Sequence, residues 1–95
     1  MNEELRTRIE RAAAVLKEFG AREVYVFGSA ATGAMREESD VDLAVAGLPP
    51  EVFFKAMGQA SDALGRETAL DILDLDEETL FTAYLKRKGK LQRVA

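Results

Sequence analysis

The segment Asp40-Val41-Asp42-Leu43-Ala44-Val45-Ala46 alternates apolar and polar or small residues at period two, the signature of a strand with two unlike faces. Val41, Leu43 and Val45 face one way, into a core, and Asp40, Asp42, Ala44 and Ala46 face the other. A chain built round this strand must cover one face of a sheet with apolar side chains while keeping two carboxylates on the opposite face. Their stems lie roughly 6.6 Å apart, from about 3.3 Å of rise per residue, and the small alanines beyond them leave room above.

The flanking sequence supplies the rest of the layer. Leu5, Ile9, Ala12, Leu16 and Phe19 recur at helical spacing, with Asn2 as a candidate N-cap and Gly20 as a stop. Glu23–Phe27 is rich in β-branched and aromatic residues and reads as a strand ending at Gly28-Ser29. Residues 30–38 read as a short turn of helix and a loop. Pro49-Pro50 opens a further helix with Phe53, Ala56, Ala60, Ala63 and Leu64 on its inner face. Thr68–Leu73 is an apolar strand interrupted by Asp71. Asp74 or Asp76 can cap the last helix, with Leu80, Tyr84 and Leu85 inward and Gly89 at its end. Lys90–Val94 can form a short fourth strand. The order predicts an α/β (α+β) fold, helices packed on a small mixed sheet of three to four strands.

At 95 residues the chain reads as one domain spanning 1–95. With 47% hydrophobic and 32% charged residues it has a globular balance. It contains no Cys and no His, which excludes disulfides, thiolate or imidazole zinc sites, a Cys nucleophile and a Ser-His-Asp relay. Any metal must be held by oxygen, which favours Mg²⁺, Mn²⁺ or Ca²⁺. No apolar run approaches the length of a membrane span and the N-terminus is acidic, so a cytoplasmic location is expected. Five of the thirteen basic residues, Lys86, Arg87, Lys88, Lys90 and Arg93, fall in the last ten positions, which contain no acid. The remainder sets eight bases against seventeen acids, a body ill suited to binding along a nucleic-acid duplex. The basic tail suits a helix C-terminus, or a phosphate or acidic partner.

Asp71 is the third carboxylate of interest. Buried and unpaired, it would be costly. It therefore calls for a cation shared with Asp40 and Asp42, an exposed sheet edge, or an arginine such as Arg22 or Arg66. Carboxylates spaced like Asp40 and Asp42 can share one divalent ion or hold two, about 3.5–4 Å apart, as in two-metal phosphoryl transfer. Gly28-Ser29, at the end of one strand, lets a ligand approach the backbone and offers amides and a hydroxyl to a phosphate. Alone such a pair is most often a turn. Beside a carboxylate pair it becomes half of a nucleoside-triphosphate site.

The stretch Val26-Phe27-Gly28-Ser29, ten residues, then Asp40-Val41-Asp42-Leu43 resembles the Gly-Ser-x10-Asp-x-Asp signature of the DNA polymerase beta-like nucleotidyltransferases. Asp71 stands where that family's third carboxylate is expected. The size and element order are similar to the minimal nucleotidyltransferase (MNT) branch, whose members often pair as antitoxins with HEPN-domain ribonuclease toxins. The resemblance implies a nucleotidyltransferase fold. It also implies ATP- and Mg²⁺-dependent transfer of AMP to a hydroxyl, a tyrosine of the HEPN partner. In that reading Gly28 and Ser29 hold the triphosphate, and Asp40, Asp42 and Asp71 bind two Mg²⁺ ions, with Mn²⁺ as a substitute. Asp71 also serves as base. Where the family often carries two arginines this sequence has Ala30 and Thr32, and Arg36 in the same loop stands as a replacement phosphate partner. A catalytically weak antitoxin that neutralises its partner by binding alone is the alternative. Phe81, beyond the inward stripe of the last helix, is either partner surface or ordinary packing.

Overall fold

The computed structural model describes residues 3–28, 40–65, 67–89 and 91–95. The helical turn read at 30–38, the Asn2 cap and the candidate partner Arg66 lie outside the described residues. Helix α1 (Glu3–Glu18) leads into strand β1 (Glu23–Phe27), and strand β2 (Val41–Ala46) follows. A single 3-10 turn (Pro50–Val52) opens helix α2 (Phe53–Leu64), with strand β3 (Leu70–Asp74), helix α3 (Leu80–Lys88) and strand β4 (Gln92–Arg93) completing the order.

The sheet runs β3-β2-β1-β4. Strand β1 is antiparallel to β2 and to β4, whereas β2 and β3 are parallel. The mixed four-stranded sheet with helices packed on it is the expected nucleotidyltransferase fold, and the short C-terminal strand is present. The parallel pair follows from α2, which carries the chain back to the same end of the sheet.

One face of the sheet holds the main core. Val24, Val26, Val41, Leu43 and Val45 pack against Ile9, Ala12, Ala13 and Leu16 of α1 and Ala56, Ala60 and Leu64 of α2. The alanines let the two helices approach each other closely, and Leu5 and Phe19 close the ends of the α1 stripe. Arg8 fastens the turn after α2, donating through Nε to the Leu64 carbonyl and through Nη2 to Thr68 Oγ1 at 2.6 Å. Thr68 is consequently buried in the turn rather than in a strand. Strand β3 starts two residues later than the sequence suggests and ends one residue later, at Asp74.

The opposite face is thinner: Ala44, Ala46 and Leu75 pack with Tyr25, Phe27, Leu73 and Leu91. Helix α3 differs from expectation at its start. Its N-cap is Thr79, whose Oγ1 accepts from the Thr82 amide at 3.1 Å while Thr82 Oγ1 accepts from the Thr79 amide at 3.0 Å. Asp74 and Asp76 are spent elsewhere: Asp74 Oδ1 accepts from the Asp76 amide at 2.9 Å, and Asp76 Oδ2 accepts from the Gly47 amide at 2.7 Å. This later start makes Thr82 and Leu85 the buried positions and turns Leu80 and Tyr84 outward. Gly89 ends the helix in the left-handed conformation, as read. Removing the cap with Thr79→Ala is expected to cost about 1 kcal/mol. Thermal unfolding should show this as a fall in Tm of roughly 4–8 °C for a domain of this size.

Candidate active site

The parallel register sets Asp42 beside Asp71, and the antiparallel register sets Phe27 opposite Asp42. Directly paired residues share a face. Asp71, Asp42 and Phe27 therefore form a row across β3, β2 and β1 on the thin face, with Asp40 just ahead of β2. Period two, which puts Val41 and Leu43 in the core, is what aims Asp42 at this face.

Gly28 closes the site from the β1 end. Its φ is +72° and a Cβ built there would stand 2.7 Å from Asp42 Oδ2, so the backbone passes directly against the carboxylate. Any L side chain meets both a disfavoured backbone conformation and that oxygen. Gly28→Ala is expected to lower stability by about 1–2 kcal/mol, seen as a lower Tm, and to displace the Asp42 carboxylate.

Charge in the row is poorly compensated. The Asp42 carboxyl is pushed above its ordinary value of 3.8, first by burial, then by the negative charges of Asp71 and Asp40. Asp71 is exposed, because β3 is an edge strand. Its charge stays in water rather than in the interior, and the cost expected of a buried carboxylate does not arise. Arg22 does not serve it, pairing instead with Asp76 at 3.8 Å.

The donors are all carboxylate oxygens, and the charge they share is of the kind a divalent cation offsets. The set fits Mg²⁺ or Mn²⁺ in chemistry. As placed, among the described residues, no three acidic side chains are gathered tightly enough to close on one ion. The mutual repulsion felt by Asp42 is a physical reason for such spreading. Ser29 and Arg36, the other expected nucleotide contacts, lie outside the described residues.

A cleft of about 460 Å³ opens at the other end of the sheet, lined by Arg22, Tyr25, Asp76 and Lys86 among others. Its polar groups are already engaged. Besides the Arg22–Asp76 pair, the Tyr25 hydroxyl donates to Glu23 Oε2 at 2.6 Å and Lys86 Nζ to the Leu75 carbonyl at 2.9 Å. The hydrogen bond to Glu23 is the main cause that raises the Tyr25 pKa. This cleft has no share in the aspartate row.

Sequence reasoning overlooked Phe27 as a site residue. The signal was present in its position one before Gly28, on the Tyr25 side of β1, yet only the β1–β2 register places it opposite Asp42. The register also brings in Phe81, whose ring meets Phe27 edge-on at 6.0 Å between centroids.

Comparison with known proteins supports the same architecture. A minimal nucleotidyltransferase structure is 29% identical, with a TM-score of 0.74, covering 94% of this chain and 91% of its own. A toxin–antitoxin structure with AMP-PNP matches at 18% identity and a TM-score of 0.71, covering 92% of this chain and 72% of that one. The complex of a tri-AMPylated Shewanella oneidensis HEPN toxin with its MNT antitoxin matches at 16% identity and a TM-score of 0.66, over 96% of this chain and 71% of that one. No curated protein matches. No helix among the described residues is long and apolar enough to cross a membrane. The model of the polymerase beta nucleotidyltransferase family matches residues 10–91, a span that takes in Gly28 and all three aspartates. The chain belongs to the polymerase beta nucleotidyltransferase family.

Proposed function

We propose that residues 1–95 act as a single minimal nucleotidyltransferase domain that moves AMP from ATP to a tyrosine hydroxyl of a HEPN-domain partner, as the antitoxin of that pair. The observation that carries this reading is the row of Asp42 and Asp71 on adjacent strands, with Asp40 near enough to raise the Asp42 pKa and Gly28 pressed against the Asp42 carboxylate. The AMP-PNP complex and the tri-AMPylated toxin among the similar structures support the choice of nucleotide and acceptor.

In this reading Asp40, Asp42 and Asp71 hold Mg²⁺, which supplies charge neutralisation on the phosphates. Gly28, lacking a side chain, lets the triphosphate approach the backbone, and Ser29 and Arg36 bind its oxygens. Asp71, exposed at the sheet edge, takes the proton from the incoming hydroxyl. The acceptor oxygen forms its bond to the α-phosphorus, the bond to the β-phosphate oxygen breaks, and pyrophosphate leaves with that electron pair. None of these roles requires His or Cys.

Ala30 and Thr32, standing where the family often carries arginines, favour a second reading in which the chain neutralises its partner by binding and transfers weakly. Incubation with α-labelled ATP and Mg²⁺ in a lysate of the source cells separates the two. A labelled protein band made by the wild type and absent with Asp40→Ala/Asp42→Ala supports transfer and gives the acceptor's mass. Absence of any band with the wild type overturns it.

A further inference from the structure

The outer face of α3 is left largely uncovered by the fold. Leu80 is 93% exposed, Phe81 50% and Tyr84 42%, although the helix buries only Thr82 and Leu85. Three large apolar side chains at spacings of one, three and four residues make a contiguous patch on one helix surface. Two further features give it direction. Phe81 leans on Phe27, whose cross-strand neighbour is Asp42, so the patch begins at the edge of the aspartate row. One turn beyond Tyr84 come Arg87 and Lys88, both exposed and seven or eight residues from Leu80 on the same side of the helix.

Resting on the transferase reading above, we propose that this face of α3 is where the acceptor protein docks, and that the occupant is a HEPN-domain surface carrying an apolar centre bordered by acidic side chains. The apolar half seats beside the aspartates and the basic half sits a turn away. A partner with the complementary order of charge is thereby held in one orientation, with its acceptor tyrosine at the aspartate end. The charge argument runs against the rest of the molecule: the chain carries a net charge of −4, so an acidic partner surface is repelled elsewhere and attracted here. Exposed aromatic and leucine side chains beside a charged rim are the composition of a docking surface with a desolvated centre.

The test uses the full chain and the purified HEPN-domain protein of the same organism, measuring Kd by calorimetry and transfer by release of pyrophosphate. Leu80→Asp/Tyr84→Asp places charge in the patch at outward-facing positions. Arg87→Glu/Lys88→Glu reverses the basic half without touching the apolar one. Each is expected to weaken partner binding at least about tenfold and to raise KM for the partner with kcat and the Mg²⁺-induced rise in Tm unchanged. Charge reversal should also flatten the salt dependence of binding. Kd values within twofold of wild type for both variants overturn the proposal, as does a wild type that does not bind the partner. Loss of self-association in place of partner binding assigns the face to a second copy and overturns it too. If the wild type binds, the variants do not, and no pyrophosphate is released in any arm, the docking surface stands and the transferase reading falls.

Discussion

Asp42→Asn is expected to reduce transfer by about 10²–10³-fold while raising the melting temperature of the metal-free protein. Both effects have one origin. The Asp42 carboxylate is half-buried and faces the charges of Asp71 and Asp40, so its ionised form is disfavoured in the folded state. Its folded pKa lies above the unfolded value. Between the two values the folded state binds more protons, and stability falls as pH rises through that window. At neutral pH the penalty is fully present. Asparagine keeps the shape and removes the charge, relieving about 0.5 kcal/mol after allowance for screening by solvent, a rise of roughly 2–4 °C. The gain over wild type should shrink on acidification and vanish below the ordinary value of 3.8, where Asp42 is protonated in both folded and unfolded protein. In the proposed reading transfer is lost because one of the carboxylates that would hold Mg²⁺ is gone, and with it the charge neutralisation the metal would supply at the phosphates. Mg²⁺ or Mn²⁺ should raise the Tm of the wild type and leave that of Asp40→Ala/Asp42→Ala unmoved. A variant less stable than wild type without metal, or as active, contradicts the account of this residue.

Asp71→Asn is expected to separate chemistry from binding. Its exposed position on the edge strand leaves it open to an incoming hydroxyl, and its register places it beside Asp42. Loss of a general base lowers turnover by about 10²-fold or more. In the proposed reading ATP is held mainly at the Gly28 end of the site, so its affinity should change little. Being exposed, Asp71 can be replaced with little change in Tm. The rate deficit should ease as pH rises and the acceptor hydroxyl ionises unaided. A variant that transfers at the wild-type rate removes Asp71 from proton transfer, and one that no longer binds ATP makes it a nucleotide ligand first.

The sequence made the elements legible where side-chain periodicity is strong. The stripe of α1, the alternation of β2 and the Pro49-Pro50 start before α2 each determine local structure through a pattern that tertiary contacts reinforce. The spacing of Gly28 and the aspartates pointed to one site because phosphate-binding backbone and metal-binding carboxylates are complementary halves of a nucleotide site, and the antiparallel pairing of β1 with β2 brings Gly28 against Asp42. What remained hidden depended on partners far along the chain. Thr68 leaves the strand because Arg8 claims its hydroxyl. Thr79 takes the cap because Asp76 is drawn to Gly47 and Arg22, residues that no local window connects to it. That shift of the helix start rotates Leu80 and Tyr84 outward. Asp71 could be read as needing a cation, an arginine or an open edge, and only the strand order decides that it lies at the edge beside Asp42. Phe27 became visible as a site residue through register alone.

The central claim is that this chain transfers AMP to its partner through the three aspartates. Intact-mass analysis of the purified HEPN-domain protein, after incubation with unlabelled ATP, Mg²⁺ and either wild type or Asp40→Ala/Asp42→Ala, tests it most directly. The account predicts that the partner gains the mass of one or more AMP groups, localised to tyrosine, with the wild type only. A partner of unchanged mass that is nonetheless bound and silenced by both proteins would contradict it.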